Sequence, residues 1–133
     1  MSRSPDDRIA IPPWGELLRA AQDEVRETLK DLPSSVRDVA SRVPVVYERR
    51  PSPELIADGL DSDLLGLFVG DPIGEEGQGA VLPAQILLFL ENIWELAEGD
   101  AEFYGDEVQT TFLHELGHYL GLDEIDLEER GLE

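Results

Sequence analysis

The segment HELGH places His114, Glu115 and His118 at the spacing of a metal centre. The chain has 133 residues, and His114 and His118 are its only histidines. On an α-helix, side chains four positions apart lie on one face, with Cβ atoms about 5–6 Å from each other. Two imidazoles so placed can bind one zinc ion, and Glu115, rotated by about 100° from His114, borders the metal without having to coordinate it. The spacing therefore predicts a hydrolytic metal site.

Glu115 is the candidate general base of this site. Zinc lowers the pKa of a water molecule from about 16 to about 7 and polarises a carbonyl oxygen. Glu115 is then placed to accept the proton of that water during attack on a peptide bond, and to pass it to the leaving amine. The competing interpretation is that both histidines are ordinary helix residues paired with carboxylates. That interpretation does not explain why histidine occurs nowhere else in the chain.

A third protein ligand is expected after the helix ends, because a catalytic zinc usually has three protein ligands and one open position. Gly121 can end the helix in a left-handed conformation and reverse the chain. Carboxylates follow at once. We predict Glu124, ten residues after His114, as the third ligand, with Asp123 and Asp126 as the alternatives.

Three further residues are candidates for supporting roles around the metal. Thr111 lies near the metal side of the predicted helix and is a candidate to support the ligands, although an ordinary helix position explains it equally well. Tyr119 and Tyr104 are candidate donors to the oxyanion of the reaction. For both tyrosines, packing in the core or at the surface is the competing interpretation.

The apolar pattern predicts the elements that must position this site. Spacings of three and four residues predict helices, and short β-rich or continuous apolar runs predict strands. We predict helices at 14–32, 34–43 and 52–59, strands at 45–50, 64–70 and 84–90, helical turns at 91–99, the motif helix from about 106 to 121, and a short acidic helix or turn at 123–133. The run at 84–90 is the predicted central strand, and the Gly-rich segment 71–79 is the predicted flexible loop.

On the motif helix, apolar residues form a stripe that can pack on the sheet: Val108, Phe112, Leu113, Leu116 and Leu120. Ser52 is the predicted N-cap of the third helix, and Ser34 or Ser35 that of the second. Residues 1–12 are polar and interrupted by proline, which predicts a flexible tail, and residues 13–133 fit a single domain.

Composition excludes several classes of protein. The chain has no cysteine, so any metal must be held by histidine and carboxylate. The net charge of −20 disfavours nucleic acid as a partner. No long apolar run or leader pattern is visible, and we expect a cytoplasmic monomer without a membrane span. The charge itself is either a solvated shell that favours solubility or a field that attracts cationic substrates.

The segment TTFLHELGHYLGLDEIDLEERGL is similar to the active-site segment of small bacterial metallopeptidases described as minimal zincins, whose pattern is HExxHxxGxxD. The predicted N-terminal pair of helices and the segments VPVVYERRPSPEL, LLGLFVGDPI and LPAQILLFLENI also resemble that family, in the same order along the chain, so the resemblance covers roughly residues 14–132. The resemblance implies an α+β fold in which a small mixed sheet packs against helices, including the active-site helix. It also implies one catalytic Zn²⁺ held by both histidines and an acidic ligand. Glu124 stands where the family usually has aspartate, which leaves Asp123 as a competing ligand.

Two functions follow from the sequence. The first is a zinc-dependent metallopeptidase that cuts a peptide or an unfolded protein segment, held as an added strand at the sheet edge. The second is a non-catalytic zinc-binding module that holds a partner peptide in the same cleft. Glu115 favours catalysis, because metal binding alone does not require it. Metzincins also share the motif but need a methionine turn, and the sole methionine is Met1.

Overall fold

The computed structural model describes residues 9–75, 77 and 82–121. Within these residues the order of elements is α1 (Trp14–Lys30), α2 (Ser34–Ala40), β1 (Val45–Glu48), α3 (Pro53–Ala57), β2 (Gly66–Val69), β3 (Gln85–Phe89), α4 (Leu90–Leu96) and α5 (Ala101–Tyr119). The sequence QILLF of β3 is almost entirely apolar because the strand is buried, with Ile86 and Leu88 fully shielded from solvent. The predicted central strand is confirmed.

The three strands form a mixed sheet in the order β1-β3-β2. β1 runs parallel to β3, with Val45 opposite Ile86, while β2 runs antiparallel to β3, with Gly66 opposite Leu88. β2 is therefore an edge strand in the described part of the chain. Helices pack against this small mixed sheet, and the predicted α+β fold is confirmed.

Helix α5 carries the HELGH segment and buries the predicted apolar stripe. Val108, Phe112 and Leu116 are fully buried, and each contributes roughly 1.5–3 kcal/mol by leaving water. The core they enter includes the buried face of α1, formed by Leu17, Ala21 and Val25. This burial fixes the rotation of α5, so the face with the histidines points away from the core.

Polar contacts also tie α1 to α5. The Tyr104 hydroxyl donates to the Leu17 carbonyl oxygen at 2.8 Å, and Gln109 Nε2 donates to Glu24 Oε2 at 2.6 Å. Burial raises the pKa of Tyr104, and the neighbouring Tyr47 raises it further. Since the core packing and both hydrogen bonds join the same two helices, α1 holds α5 from the side opposite the metal motif.

Some predicted boundaries are wrong. Helix α5 begins at Ala101 and not near Asp106, because the Asp100 carboxylate accepts a hydrogen bond from the Phe103 backbone N–H at 3.0 Å. The predicted serine cap of α2 is also wrong, since Pro33 precedes this helix and no side chain caps it. The predicted Ser52 cap of α3 is confirmed, with its hydroxyl accepting from Leu55 N at 3.3 Å.

Several predictions fall on parts of the chain that the structure does not describe. The final acidic helix at 123–133 lies outside the described residues, as do residues 1–8 of the predicted tail and part of the predicted loop at 71–79. The described end of the tail contacts the protein, since Trp94 Nε1 donates to the Ala10 carbonyl at 2.9 Å. Across the described residues, none of the helices has the length and apolar character needed to cross a membrane.

Candidate metal centre

The two histidines converge on the exposed side of α5. Their Nε2 atoms are 3.2 Å apart, and their rings lie nearly perpendicular at 83°, with centroids 4.8 Å apart. Two nitrogens bound to one tetrahedral zinc at about 2.0–2.1 Å must lie roughly 3.3 Å from each other. The observed separation therefore fits two ligands of a single ion. Both rings are half-buried, so they are partly desolvated yet reachable.

Glu115 belongs to the same cluster. One carboxylate oxygen of Glu115 and one nitrogen from each of His114 and His118 all lie within 4.8 Å of one another. These three residues form the only such group of three that the structure shows among residues 9–75, 77 and 82–121. A metal ion could be held here, with Glu115 close enough to accept a proton from a water molecule beside it.

Gly66, the first residue of β2, lets the edge strand approach the motif helix closely. A Cβ atom at this position would lie 2.6 Å from Thr111 Cγ2 and 3.3 Å from Glu115 Cγ. Real Cβ atoms essentially never lie as close as 2.6 Å to another heavy atom. Because glycine has no side chain, β2 can lie this close to the part of α5 that carries Glu115.

The backbone of β2 can pair with a further strand beside Glu115. The Phe89 N–H donates to the Leu65 carbonyl at 2.9 Å, so Leu65 and Phe89 form a hydrogen-bonded pair of the β2–β3 ladder. Because antiparallel pairs alternate, the backbone groups of Leu67 face β3, while those of Gly66 and Phe68 face away from it. The outward-facing groups of Gly66 therefore lie where β2 meets the segment of α5 that carries Glu115.

A cleft of about 280 Å³ opens beside His114 and Glu115. One wall is the segment that enters β2, and the other is the exposed side of α5. The lining residues are Leu64, Leu65, Gly66, Glu107, Thr110, Thr111, His114 and Glu115. Ligand sites for drug-sized molecules usually span roughly 300–1,000 Å³, so this cleft suits one or two side chains of a peptide.

The remaining candidate residues fall in different places. Thr111 is buried at the cleft, with its methyl group against Gly66. The Tyr119 ring is buried against Phe68, with ring centroids 5.9 Å apart. Tyr104 is ten residues before His114 on the same helix, about 15 Å along its axis, and its hydroxyl is bonded to α1. The structure brings Thr111 to the site, packs Tyr119 between the motif helix and β2, and leaves Tyr104 far from the histidines.

The predicted third ligand and its alternatives, Glu124, Asp123 and Asp126, lie outside the described residues. Two residues at the cleft were missed from the sequence, and each carried a signal. Gly66 interrupts an apolar strand, which is typical of close approach by another segment. Glu107 precedes His114 by seven residues, which is two helical turns and hence the same helix face.

Similarity to known proteins extends over most of the chain. A family model described as zincin-like metallopeptidase matches residues 40–132, which is more than half of the chain. The match includes the whole sheet and the motif helix, and it starts after α1. A search among curated proteins finds no match. This family implies zinc binding and a peptide substrate, and the converging His114, Glu115 and His118 supply donors that suit a metal. The chain belongs to the zincin-like metallopeptidase family.

Proposed function

We propose that this protein is a zinc-dependent metallopeptidase. His114 and His118 hold one zinc ion, and Glu115 is the general base. The single observation that carries the proposal is the 3.2 Å separation of the two Nε2 atoms with the Glu115 carboxylate in the same cluster. The proposed third ligand is Glu124, with Asp123 and Asp126 as alternatives.

Zinc bound at this place would polarise a peptide carbonyl and bring the pKa of a water molecule to about 7. Glu115 follows His114 directly in the helix, so its carboxylate stands beside the metal position. It accepts the proton of the attacking water and donates that proton to the leaving nitrogen, which a carboxylate does efficiently when held at hydrogen-bond distance. Glu115 Cγ lies 3.3 Å from the position that a Cβ at Gly66 would occupy, so the Glu115 side chain stands beside the start of β2.

The substrate is a peptide or an unfolded protein segment that adds as a strand to β2. The outward-facing backbone groups of Gly66 and Phe68 supply main-chain hydrogen bonds that do not depend on the sequence of the peptide. Because Gly66 borders Glu115, a peptide bonded there passes the general base. An extended segment can reach this edge, whereas a folded protein cannot present its backbone in the same way.

The first experiment measures the metal. The zinc content, measured by inductively coupled plasma mass spectrometry, should be about one ion per chain for the wild type and near zero for His118→Ala. A separation of 3.2 Å also suits a hydrogen bond between the two rings, and zinc titration distinguishes that contact from metal coordination. A wild-type protein that fails to retain zinc would refute the metal site.

The second experiment measures cleavage of a peptide library. Glu115→Gln should lower kcat by about 10²–10⁴-fold while zinc is retained, because the general base is lost and the ligands are kept. Glu102→Gln is the matched control, since it makes the same change at an exposed position of α5. Cleavage that survives Glu115→Gln would refute the mechanism. Stoichiometric zinc without any cleavage by the wild type would favour the non-catalytic peptide-binding module.

A further inference from the structure

The cleft beside the HELGH motif combines apolar walls with one carboxylate that lies outside the histidine cluster. Leu64, Leu65 and Gly66 form the wall next to β2, and Thr110 and Thr111 lie opposite on α5. Glu107 is the lining residue that belongs neither to these walls nor to the metal cluster. A side chain that enters from the metal end would therefore pass apolar surface before it reaches this carboxylate.

The position of Glu107 suits the recognition of a charge at a distance from the metal. It lies two helical turns before His114 on the same face of α5, about 10 Å along the axis. The residue is half-buried, and the described part of the chain gives it no hydrogen bond or ion pair. The Glu91 carboxylate, by contrast, forms ion pairs with both Arg49 and Arg50.

The acidic side chains that line the cleft have no basic counterpart among the described lining residues. In the described part of the chain its lining includes no lysine or arginine, while Glu107 and Glu115 both contribute carboxylates. A partly desolvated carboxylate gains most from a cation that reaches it, and a second anion beside it is repelled. The cleft therefore discriminates between substrate side chains by charge as well as by size.

We infer that this cleft is a specificity site for a lysine or arginine side chain of the substrate, with its aliphatic stem along Leu64 and Leu65 and its charged group at Glu107. Both side chains combine a long apolar stem with a cationic end, which matches apolar walls that lead to a carboxylate. Glu107 is then a residue that determines specificity. The inference rests on the proposed function, because the histidine cluster fixes which end of the cleft faces the scissile bond.

The test uses labelled alanine-based peptides that differ at one position, with lysine, norleucine or glutamate. Their binding to zinc-loaded Glu115→Gln protein is measured by fluorescence anisotropy, and their cleavage by wild-type protein is measured as kcat/KM. Lysine should be preferred to norleucine by at least about tenfold, since hydrogen bonds to charged groups are worth about that factor or more. Norleucine keeps the apolar stem, so this ratio isolates the charge.

The decisive variant is Glu107→Gln, which is made alone for the cleavage assay and combined with Glu115→Gln for the binding assay. In both assays the preference for lysine over norleucine should fall to a ratio close to one. The matched control is Asp106→Asn, which makes the same change in net charge at the exposed neighbouring position outside the cleft. This control should keep the preference. An equal loss in both variants would overturn the inference, because the general negative field would then explain the preference.

A further pair of outcomes separates this inference from the proposed function. Binding that depends on lysine and Glu107, with no cleavage by the wild type, would refute the peptidase and keep the specificity site. Cleavage that is indifferent to lysine, norleucine and glutamate would keep the peptidase and overturn the specificity site. Circular dichroism of each variant ensures that the compared proteins share the same fold.

Discussion

Replacement of Gly66 by alanine should disturb the site through packing alone. The added Cβ would lie 2.6 Å from Thr111 Cγ2, 3.1 Å from the Leu87 carbonyl oxygen and 3.3 Å from Glu115 Cγ. Ordinary contacts of this kind begin at 3.4 Å, so the Thr111 methyl group, or the helix that carries it, must move by close to 1 Å. Overpacking of this kind typically costs about 1–3 kcal/mol of unfolding free energy. Urea denaturation would measure this loss.

Activity should fall more than stability suggests. A displacement of about 1 Å at a catalytic group can cost about 10²-fold in rate, and Glu115 lies on the segment that is pushed. We expect kcat/KM of Gly66→Ala to fall by about one to two orders of magnitude, with zinc content close to that of the wild type. Gly15→Ala is the control, since a Cβ at that helical position meets nothing within 4 Å.

Removal of the opposing methyl group should reverse part of the effect. Thr111→Ser deletes Cγ2 and keeps the hydroxyl, so it relieves the closest contact of the new Cβ. The double variant with Gly66→Ala should be more stable than the sum of the single changes predicts, by about 1 kcal/mol or more in a double-mutant cycle. Strict additivity of the two changes, or a Gly66→Ala protein as stable as the wild type, would refute the close-packing argument.

Three other substitutions test the framework around the site. Tyr104→Phe should lower the free energy of unfolding by about 1 kcal/mol at neutral pH, measured by urea denaturation, because the Leu17 carbonyl loses its hydrogen-bond donor. The raised pKa of Tyr104 means that the unfolded chain loses this proton first, so wild-type stability should fall above about pH 10 and fall less in the variant. Asn92→Ala should lower the free energy of unfolding by about 1–3 kcal/mol and raise KM, because the Asn92 amide donates hydrogen bonds to two carbonyls in the segment that enters β2. Unchanged stability would argue against a role of Asn92 in holding this segment. Asp100→Ala should lower the melting temperature, with a loss of about 1 kcal/mol, since Phe103 N–H loses its cap; an unchanged melting temperature would contradict that role.

The sequence was most informative where periodicity and local chemistry decide the structure. The continuous apolar run of β3 predicted a central strand because only a strand with neighbours on both sides is buried so completely. Ser52 followed by Pro53 predicted the start of α3, since both residues act within one helical turn. The HELGH spacing predicted the convergence of the histidines for the same reason: a helix fixes the geometry of residues four positions apart.

Features that depend on distant segments could not be predicted in this way. The approach of Gly66 to Thr111 joins β2 to α5, and no local pattern states which helix a strand will meet. The start of α5 was misplaced because Asp106 and Gln109 imitate a capping pattern, while the actual cap is Asp100. That error also kept Tyr104 among the candidates, since a helix that includes it places it about 15 Å from His114.

The contact between α1 and α5 has a consequence for biosynthesis. Roughly 70 residues separate Lys30 from Tyr104, and a ribosome needs about 4–15 s to add them at about 5–20 residues per second. During that interval the apolar face of α1, which includes Leu17 and Val25, has not yet packed against α5, the helix with which α1 shares its most extensive contact. The newly made chain therefore carries an incompletely covered helix, which favours aggregation, until the segment with the HELGH motif has been synthesised.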